Sequence, residues 1–489
     1  MMKTNLFFAV TIAFSLSSCK TQEADSTLRF NKERFEKQTI SVNENTINIR
    51  AYENIVYVKS PIDTTYQKMN IYIPEAYFEG KSIEGYTADS APIFFPNQVG
   101  GYMPANPGTA INNRKGPMQN SNQPTTIAIA LSKGYIVASA GARGRTSANG
   151  KAPAVIVDLK AAIRYLKYND KNMPGNAEKI ISNGTSAGGA VSTLLGATGN
   201  AKDYEPYLKE LGAATTSDAI FAVSAYCPIT NLNNADAAYE WQFYGINDYE
   251  KMDISMVDYH VERKLIPGRL DKEQEKTSLQ LSKLFPSYVN SLQLKNNDGS
   301  FFNLDEKGNG TFKDLVKFYI IASANKAIAS GTDMQQYTFL KMENEKVTDF
   351  DFEGYIRYLG RGKTPPAFDG LSLENAENQL FGDSETDKKH FTEYSLKNTI
   401  VQSSIANADI IKMMNPMDYI GKQGADISKH WRIRHGTKDK DTGLAIPILL
   451  ATLLQNNGYP VDFALPWDKP HSGDYDLDEL FEWMKQISK

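Results

Sequence analysis

Cysteine is almost missing from this chain: its 489 residues hold two, Cys19 and Cys227. A disulfide-built scaffold is excluded, and so is any cysteine pair at metal-ligand spacing. Histidine is scarce as well, at five residues, and none forms an H-E-x-x-H. The glycine fingerprint of dinucleotide binding is absent too, since "GARGRT" does not have the G-x-G-x-x-G form. Neither a metal nor an organic cofactor is therefore expected. There is no basic surplus: Lys and Arg number 53 against 57 Asp and Glu, a formal net charge of -4. With nothing to neutralise phosphates, nucleic acid is excluded as a partner. Internal repeats, low-complexity tracts and any apolar run long enough to span a bilayer are also missing. What remains is ordinary globular composition, 41% hydrophobic and 22% charged. The length suits one large domain with an insertion, or two domains.

The N-terminus, "MMKTNLFFAVTIAFSLSSCK", has a lysine, an apolar run from Leu6 to Leu16 and small residues before Cys19. That run is too short to cross a membrane and suits a secretory signal peptide over residues 1–18. Leu16-Ser17-Ser18-Cys19 resembles the bacterial lipobox, in which the cysteine becomes the lipidated N-terminus. The expectation is an exported protein anchored to the bacterial cell envelope, touching membrane through its lipid alone. An ordinary signal peptide with an incidental cysteine is the alternative. Residues 19–45 are polar and aperiodic and read as a tether. Cys227, left without a partner, ends the apolar run "AIFAVSAYC" and reads as a buried structural thiol.

From there the chain alternates. "NIVYV", "KMNIYIP", "APIFFPNQ" and "GYIVASAG" are rich in β-branched and aromatic residues and predict strands. "APAVIVDLKAAIRYLKYN" has helical spacing, with Pro153 in its first turn. "KIISNG" predicts a strand, "SAGGAVSTLLGATG" a helix of small residues and "DAIFAVSAYCP" another strand. Strand–helix alternation of this kind specifies a mostly parallel sheet covered on both faces. It stops near residue 228. Residues 229–415 are charged and helical in pattern, as in "KEQEKTSLQLSKLFPSYVNSLQL", without clear strand alternation. Alternation resumes over 416–489, with "HWRIRHG", "LAIPILLATLLQNNG", "PVDFALP" and "DLDELFEWMKQI". An α/β core over 46–228 and 416–489, interrupted by a mainly helical lid insertion, is the organisation this predicts.

Gly184-Thr185-Ser186-Ala187-Gly188 fits G-x-S-x-G. In that motif a serine sits on a sharp turn between strand and helix, its oxygen exposed and its backbone strained. Neighbouring backbone passes so close that the flanking positions need glycine. The pattern alone arises by chance often enough to mean little. Its place between "KIIS" and a small-residue helix is what gives it weight.

A serine hydroxyl needs a base, and the base an orienting acid. In chains built on this elbow the order is Ser, acid, His, with the last two on loops after the late strands. His260 and His390 fall in the insertion, and His430 and His435 flank "WRIR", where His435 reads as bonding locally. His471, in the polar loop "PWDKPHSGDYD", is the candidate base. In "HGTKDKDT", Asp439 is the better positional match for the acid, with Asp441 its rival. Two backbone donors are needed for the tetrahedral oxyanion. Ala187 supplies one, and the loop "FFPNQVGGYM", through Gly100 and Gly101, is the candidate for the other. Together these features give an α/β-hydrolase fold.

"NGTSAGGA", "RHGTKDKDT", "PHSGDYD" and "KTPPAFDGLSLENAE" together resemble the bacterial tannases, secreted or surface esterases of that fold. The resemblance spans core and insertion. It implies Ser186, Asp439 and His471 as the triad, and a small aromatic ester as substrate. It also implies that Lys363, Glu377 and Asp441 grip the ring hydroxyls of a galloyl group. On composition alone Lys363 and Glu377 would be solvated charges. The lipobox departs from the family pattern and bears on localisation, not chemistry. A feruloyl or acetyl esterase with the same triad is the nearest alternative. A non-catalytic glycan-binding surface lipoprotein is the alternative of another class, and a pseudo-enzyme kept for adhesion a third. Four tryptophans and the clear α/β pattern count against the glycan binder. The alcohol released and the oligomeric state are not legible.

Overall fold

Residues 26–111, 124–257 and 260–489 are described by the computed structural model. The expected signal peptide at 1–18 and the lipobox Cys19 lie outside these residues. Seven strands open the chain: β1 (Glu36–Val42), β2 (Asn45–Val56), β3 (Lys68–Pro74), β4 (Pro92–Pro96), β5 (Ile136–Ala140), β6 (Asn176–Thr185) and β7 (Ala222–Tyr226). The hairpins β8 (Asp248–Val257) with β9 (His260–Arg269), and β10 (Leu340–Glu343) with β11 (Lys346–Phe350), form separate two-stranded sheets. β12 (His430–Arg434) and β13 (Val461–Ala464) then return to the first sheet. Its nine strands run in the order β1-β2-β3-β5-β4-β6-β7-β12-β13. β1, β2, β3 and β5 pair antiparallel, and every pairing from β5 to β13 is parallel.

The parallel strands β4, β5 and β7 are buried at every position, as strands covered on both faces must be. The covering helices are Thr126–Ser132, Ala154–Tyr168, Ala187–Ala197, Ala445–Asn456 and Leu477–Ser488. Ala187–Ala197 lies against β6 and β7 and is buried along its whole length. Its small residues are a packing requirement. A Cβ added at Gly196 would come within 2.2 Å of Val223 Cγ2 and 2.9 Å of Trp431 Cη2.

Two expectations need correction. The polar stretch read as a tether through residue 45 is folded from Ser26 onward: Leu28 and Phe30 are buried, and β1 pairs in register with β2. β1 is an edge strand that buries only Ile40 and Val42, so its apolar alternation is too short to register as a strand. The insertion between β7 and β12 is mainly helical, but it also holds the two hairpins. Each hairpin forms a two-stranded sheet of its own, outside the main sheet. No helix among the described residues is long and apolar enough to cross a membrane.

Candidate active site

β6 ends at Thr185, and the next residue, Ser186, has φ 63° and ψ −124°. A non-glycine residue in that region costs about 1–3 kcal/mol and persists only where its surroundings over-determine it. Here they do. Ser186 N–H donates to Tyr226 O on β7 at 2.9 Å, and Ser186 O accepts from Ala190 N at 2.9 Å. A Cβ at Gly184 would lie 2.3 Å from Gly188 O, and one at Gly188 would lie 2.7 Å from both Val99 O and Asn97 Oδ1. At Gly189 it would meet Tyr226 O at 2.6 Å. Three glycines thus let three backbones converge beneath one hydroxyl.

Asp439 lies beyond the end of β12, on a turn closed by Asp439 N–H to Gly436 O at 3.1 Å. The carboxylate is fully buried. Oδ1 accepts from Asp441 N at 2.9 Å, and Oδ2 stands 2.7 Å from His471 Nδ1. Burial would raise its pKa, but His435, His471 and the hydrogen bonds from His471 and the Asp441 amide outweigh burial and hold it well below the usual carboxylate range. For His471 burial acts downward, and Asp439 overrides it to raise the imidazole well above its ordinary value. Because Nδ1 is bound to Asp439, Nε2 is the nitrogen left for chemistry.

The His471 loop is clamped to the elbow. A Cβ at Gly473 would sit 1.9 Å from Thr185 Oγ1. Asp474 accepts from Asn183 Nδ2 at 3.1 Å and from Thr126 Oγ1 at 2.7 Å, while Asp476 Oδ1 accepts from Tyr226 Oη at 2.6 Å. Cys227 Sγ donates to Ser472 O at 3.3 Å, and burial pushes this thiol up to about 11, which makes it an inert structural group at neutral pH. His435 does not bond locally through its ring as expected. It is fully buried, 3.7 Å from Asp439, with neither ring nitrogen hydrogen-bonded among the described residues.

Ala187 N is the first amide of its helix and so has no intrahelical acceptor. Across from it, the Gly100–Gly101 loop is stitched to the elbow by Asn97, a residue that sequence reasoning missed. Asn97 Nδ2 donates to Gly188 O, Asn183 O and Ser192 Oγ at 3.0–3.1 Å, and its Oδ1 accepts from Val99 N at 3.2 Å. Cβ atoms at Gly100 and Gly101 would meet nothing within 4 Å, so both glycines border open space. Gly101 does need its residue type on another count, a φ of +53°.

The remaining three candidates come from two directions. Asp441 is half-exposed, with Oδ2 3.8 Å from His471 Nδ1, beyond hydrogen-bonding range. Lys363 places Nζ 4.0 Å from the centroid of the Phe368 ring. Glu377, on the single-turn helix Ala376–Leu380, is 9% exposed. Burial raises its pKa, and the charges of Lys363 and Arg145 oppose that rise. The loop that carries Lys363 is itself held by a buried ion pair. Arg361 and Glu240 are both fully buried, with Nη2 2.6 Å from Oε2, and Arg361 donates further to Ile246 O and Phe243 O. Asp236 Oδ1 accepts from Phe368 N at 2.7 Å and Oδ2 from Asp369 N at 3.1 Å, which fixes the same loop. Burial raises Asp236 to about 8.

Two groups of side chains bring possible metal-ligand atoms within 4.8 Å of one another among the described residues: Cys227, His435 and Asp439, and Asp439, Asp441 and His471. Both share Asp439, so a cation in either would compete with His471 for that carboxylate.

The parallel order around β6, with the strained serine at its carboxyl end and the Asp–His pair beyond later strands, places the chain among the α/β hydrolases. The BD-FAE family model matches residues 107–276. Solved structures extend the likeness to nearly the whole chain. The tannase of Lactobacillus plantarum is 44% identical, covers 94% of this chain and 100% of its own, and superposes with a TM-score of 0.91. The Fusobacterium nucleatum tannase is 49% identical over 96% of this chain and 100% of its own, with a TM-score of 0.90. A tannin acyl hydrolase solved with ethyl gallate is 44% identical over 94% of this chain and 99% of its own, with a TM-score of 0.88. No curated protein sequence matches. This chain belongs to the bacterial tannase family of carboxylic ester hydrolases.

Proposed function

We propose that this enzyme hydrolyses galloyl and related hydroxybenzoate esters through an acyl-enzyme on Ser186. The observation that carries the reading is a buried carboxylate, Glu377, within the electrostatic reach of the cation Lys363 in a member of this fold. A galloyl ring brings three hydroxyls that both donate and accept. Lys363 donates to phenolic oxygens, and Glu377 and Asp441 accept from O–H groups. The ethyl gallate and 3,4-dihydroxybenzoate complexes of a relative support that acyl group.

In this mechanism His471 Nε2 takes the Ser186 proton as Oγ attacks the ester carbonyl. The oxyanion is met by the Ala187 amide and by an amide of the Gly100–Gly101 loop. Collapse breaks the ester C–O bond, and His471 returns the proton to the departing alcohol. A water, deprotonated by His471, then attacks the acyl-serine and releases gallate and the free hydroxyl. Asp439 fixes the imidazole tautomer and stabilises its protonated form. The insertion over 229–415 acts as the lid that brings Lys363 and Glu377 over the acyl group. Export and a lipid anchor on Cys19 complete the reading, with the membrane reached through the lipid alone.

A fluorophosphonate probe labels the wild type and leaves Ser186→Ala unlabelled. Equal labelling of the two ends the acyl-enzyme assignment.

A further inference from the structure

The geometry points to Arg145 as a positioning residue that ties the helix carrying Glu377 to the Gly100–Gly101 loop, so that grip on the acyl ring and placement of the oxyanion donors depend on one guanidinium. The inference rests on the galloyl reading above and extends it to a residue outside the triad and the acyl-binding set.

Arg145 lies in the loop after β5, between two structures that no secondary-structure element joins. Its Nε donates to Gly101 O at 2.7 Å and its backbone N to Tyr102 O at 2.9 Å, so the glycine loop is held on two successive carbonyls. Its Nη1 donates to Gln379 Oε1 at 2.5 Å. Gln379 is two residues from Glu377 on the helix Ala376–Leu380. Both ends of this bridge are braced. Arg145 O accepts from Lys151 Nζ at 2.7 Å, and the same Nζ reaches Asp387 Oδ1 at 2.5 Å. Asp387 in turn accepts from Gln379 Nε2 at 3.1 Å, which closes a ring of hydrogen bonds around the guanidinium. Ala152 N–H to Leu380 O, at 2.8 Å, joins the same two segments a second time.

The fork explains why arginine is used. A guanidinium donates in fixed directions from one plane, so the Nε arm and the Nη1 arm cannot move independently. A lysine places one charge but cannot hold both carbonyl-type acceptors at a set separation. The charge has a second effect. Glu377 is faced by Lys363 and Arg145, with Tyr102 nearby, and burial acts to raise its pKa while both cations oppose that. Arg145 is itself flanked by Glu377 and Asp387. Removing Arg145 therefore leaves Lys363 as the one of these two cations still facing the buried Glu377.

The test compares Arg145→Gln, Arg145→Lys and Gln379→Ala with the wild type. kcat and KM are measured separately on methyl gallate and on 4-nitrophenyl acetate, which has no ring hydroxyls. Arg145→Gln lowers kcat on both esters and raises KM for methyl gallate alone, each by roughly tenfold or more, the scale of a lost charged hydrogen bond. Arg145→Lys restores the gallate KM but not kcat. Gln379→Ala raises the gallate KM and spares the acetate. Equal losses of kcat on both esters with no rise in the gallate KM overturn the inference, as do wild-type values of kcat and KM in Arg145→Gln. If the wild type itself shows no preference for methyl gallate over methyl benzoate, the galloyl reading fails, and the acetate kcat alone then judges the anchor at Gly101: a fall in Arg145→Gln supports it and an unchanged value overturns it.

Discussion

Nδ1 of His471 sits 2.7 Å from Oδ2 of Asp439, while the nearer Asp441 oxygen stands 3.8 Å from the same nitrogen. That difference decides which carboxylate orients the imidazole. Asp439 also raises the His471 pKa against the opposing effect of burial. Catalysis needs the neutral imidazole, so the acid limb of kcat/KM is expected above the ordinary histidine value of about 6.5. Asp439→Asn removes the source of the rise, so the limb moves to lower pH and kcat falls by about 10⁴-fold, as loss of a triad aspartate does elsewhere. Asp441→Asn leaves the limb nearly in place. A larger pH shift in Asp441→Asn than in Asp439→Asn contradicts the assignment.

Gly473 holds the histidine loop against the elbow, because a Cβ there meets Thr185 Oγ1 at 1.9 Å and Thr185 Cβ and Cγ2 at 3.0 Å. Gly473→Ala is expected to lower kcat severely, since His471 is two residues away on the same loop. Adding Thr185→Ala removes the closest atom and recovers part of the loss. The cycle is read as a non-additive pair of kcat values, and full additivity contradicts the contact.

Arg361 and Glu240 are both fully buried and paired. Glu240→Ala strands an uncompensated guanidinium and is expected to cost about 3–5 kcal/mol of stability. Chemical denaturation measures it. The same variant loosens the loop that bears Lys363, so its KM for a gallate ester rises even at a temperature where it stays folded.

Cell fractionation tests the anchor. With the lipobox intact the protein is expected in the membrane fraction, and Cys19→Ala moves it to the soluble one. A wild type found in the soluble fraction removes the anchor from the account.

The core was legible because its signals are local. Burial on both faces writes β4, β5 and β7 as apolar runs, and the elbow glycines sit in one short motif between strand and helix, although Gly188 and Gly189 are forced by the distant Val99 and Tyr226 carbonyls. β1 was missed because an edge strand buries only two residues, and β8 and β9 because their partners are each other. Asn97, Arg145 and Gly473 could not be found from pattern. Their roles depend on partners 91, 234 and 288 positions away, at Gly188, Gln379 and Thr185, and no periodicity encodes such distances. Lys363 and Glu377 were singled out by family resemblance alone. What marks Glu377 physically is burial, which a sequence does not display for an isolated charge.

The central claim is that the acyl pocket is built for ring hydroxyls, and one ratio measures it: kcat/KM for methyl gallate over that for methyl benzoate. Benzoate leaves Lys363, Glu377 and Asp441 without the partners they lose from water, and sites built to hydrogen-bond a hydroxyl reject such an analogue by about 10⁴-fold. A ratio of that order in the wild type, reduced in Lys363→Ala, Glu377→Ala and Asp441→Ala while the fluorophosphonate probe still labels Ser186, is the predicted result. Comparable rates on the two esters in the wild type would contradict it.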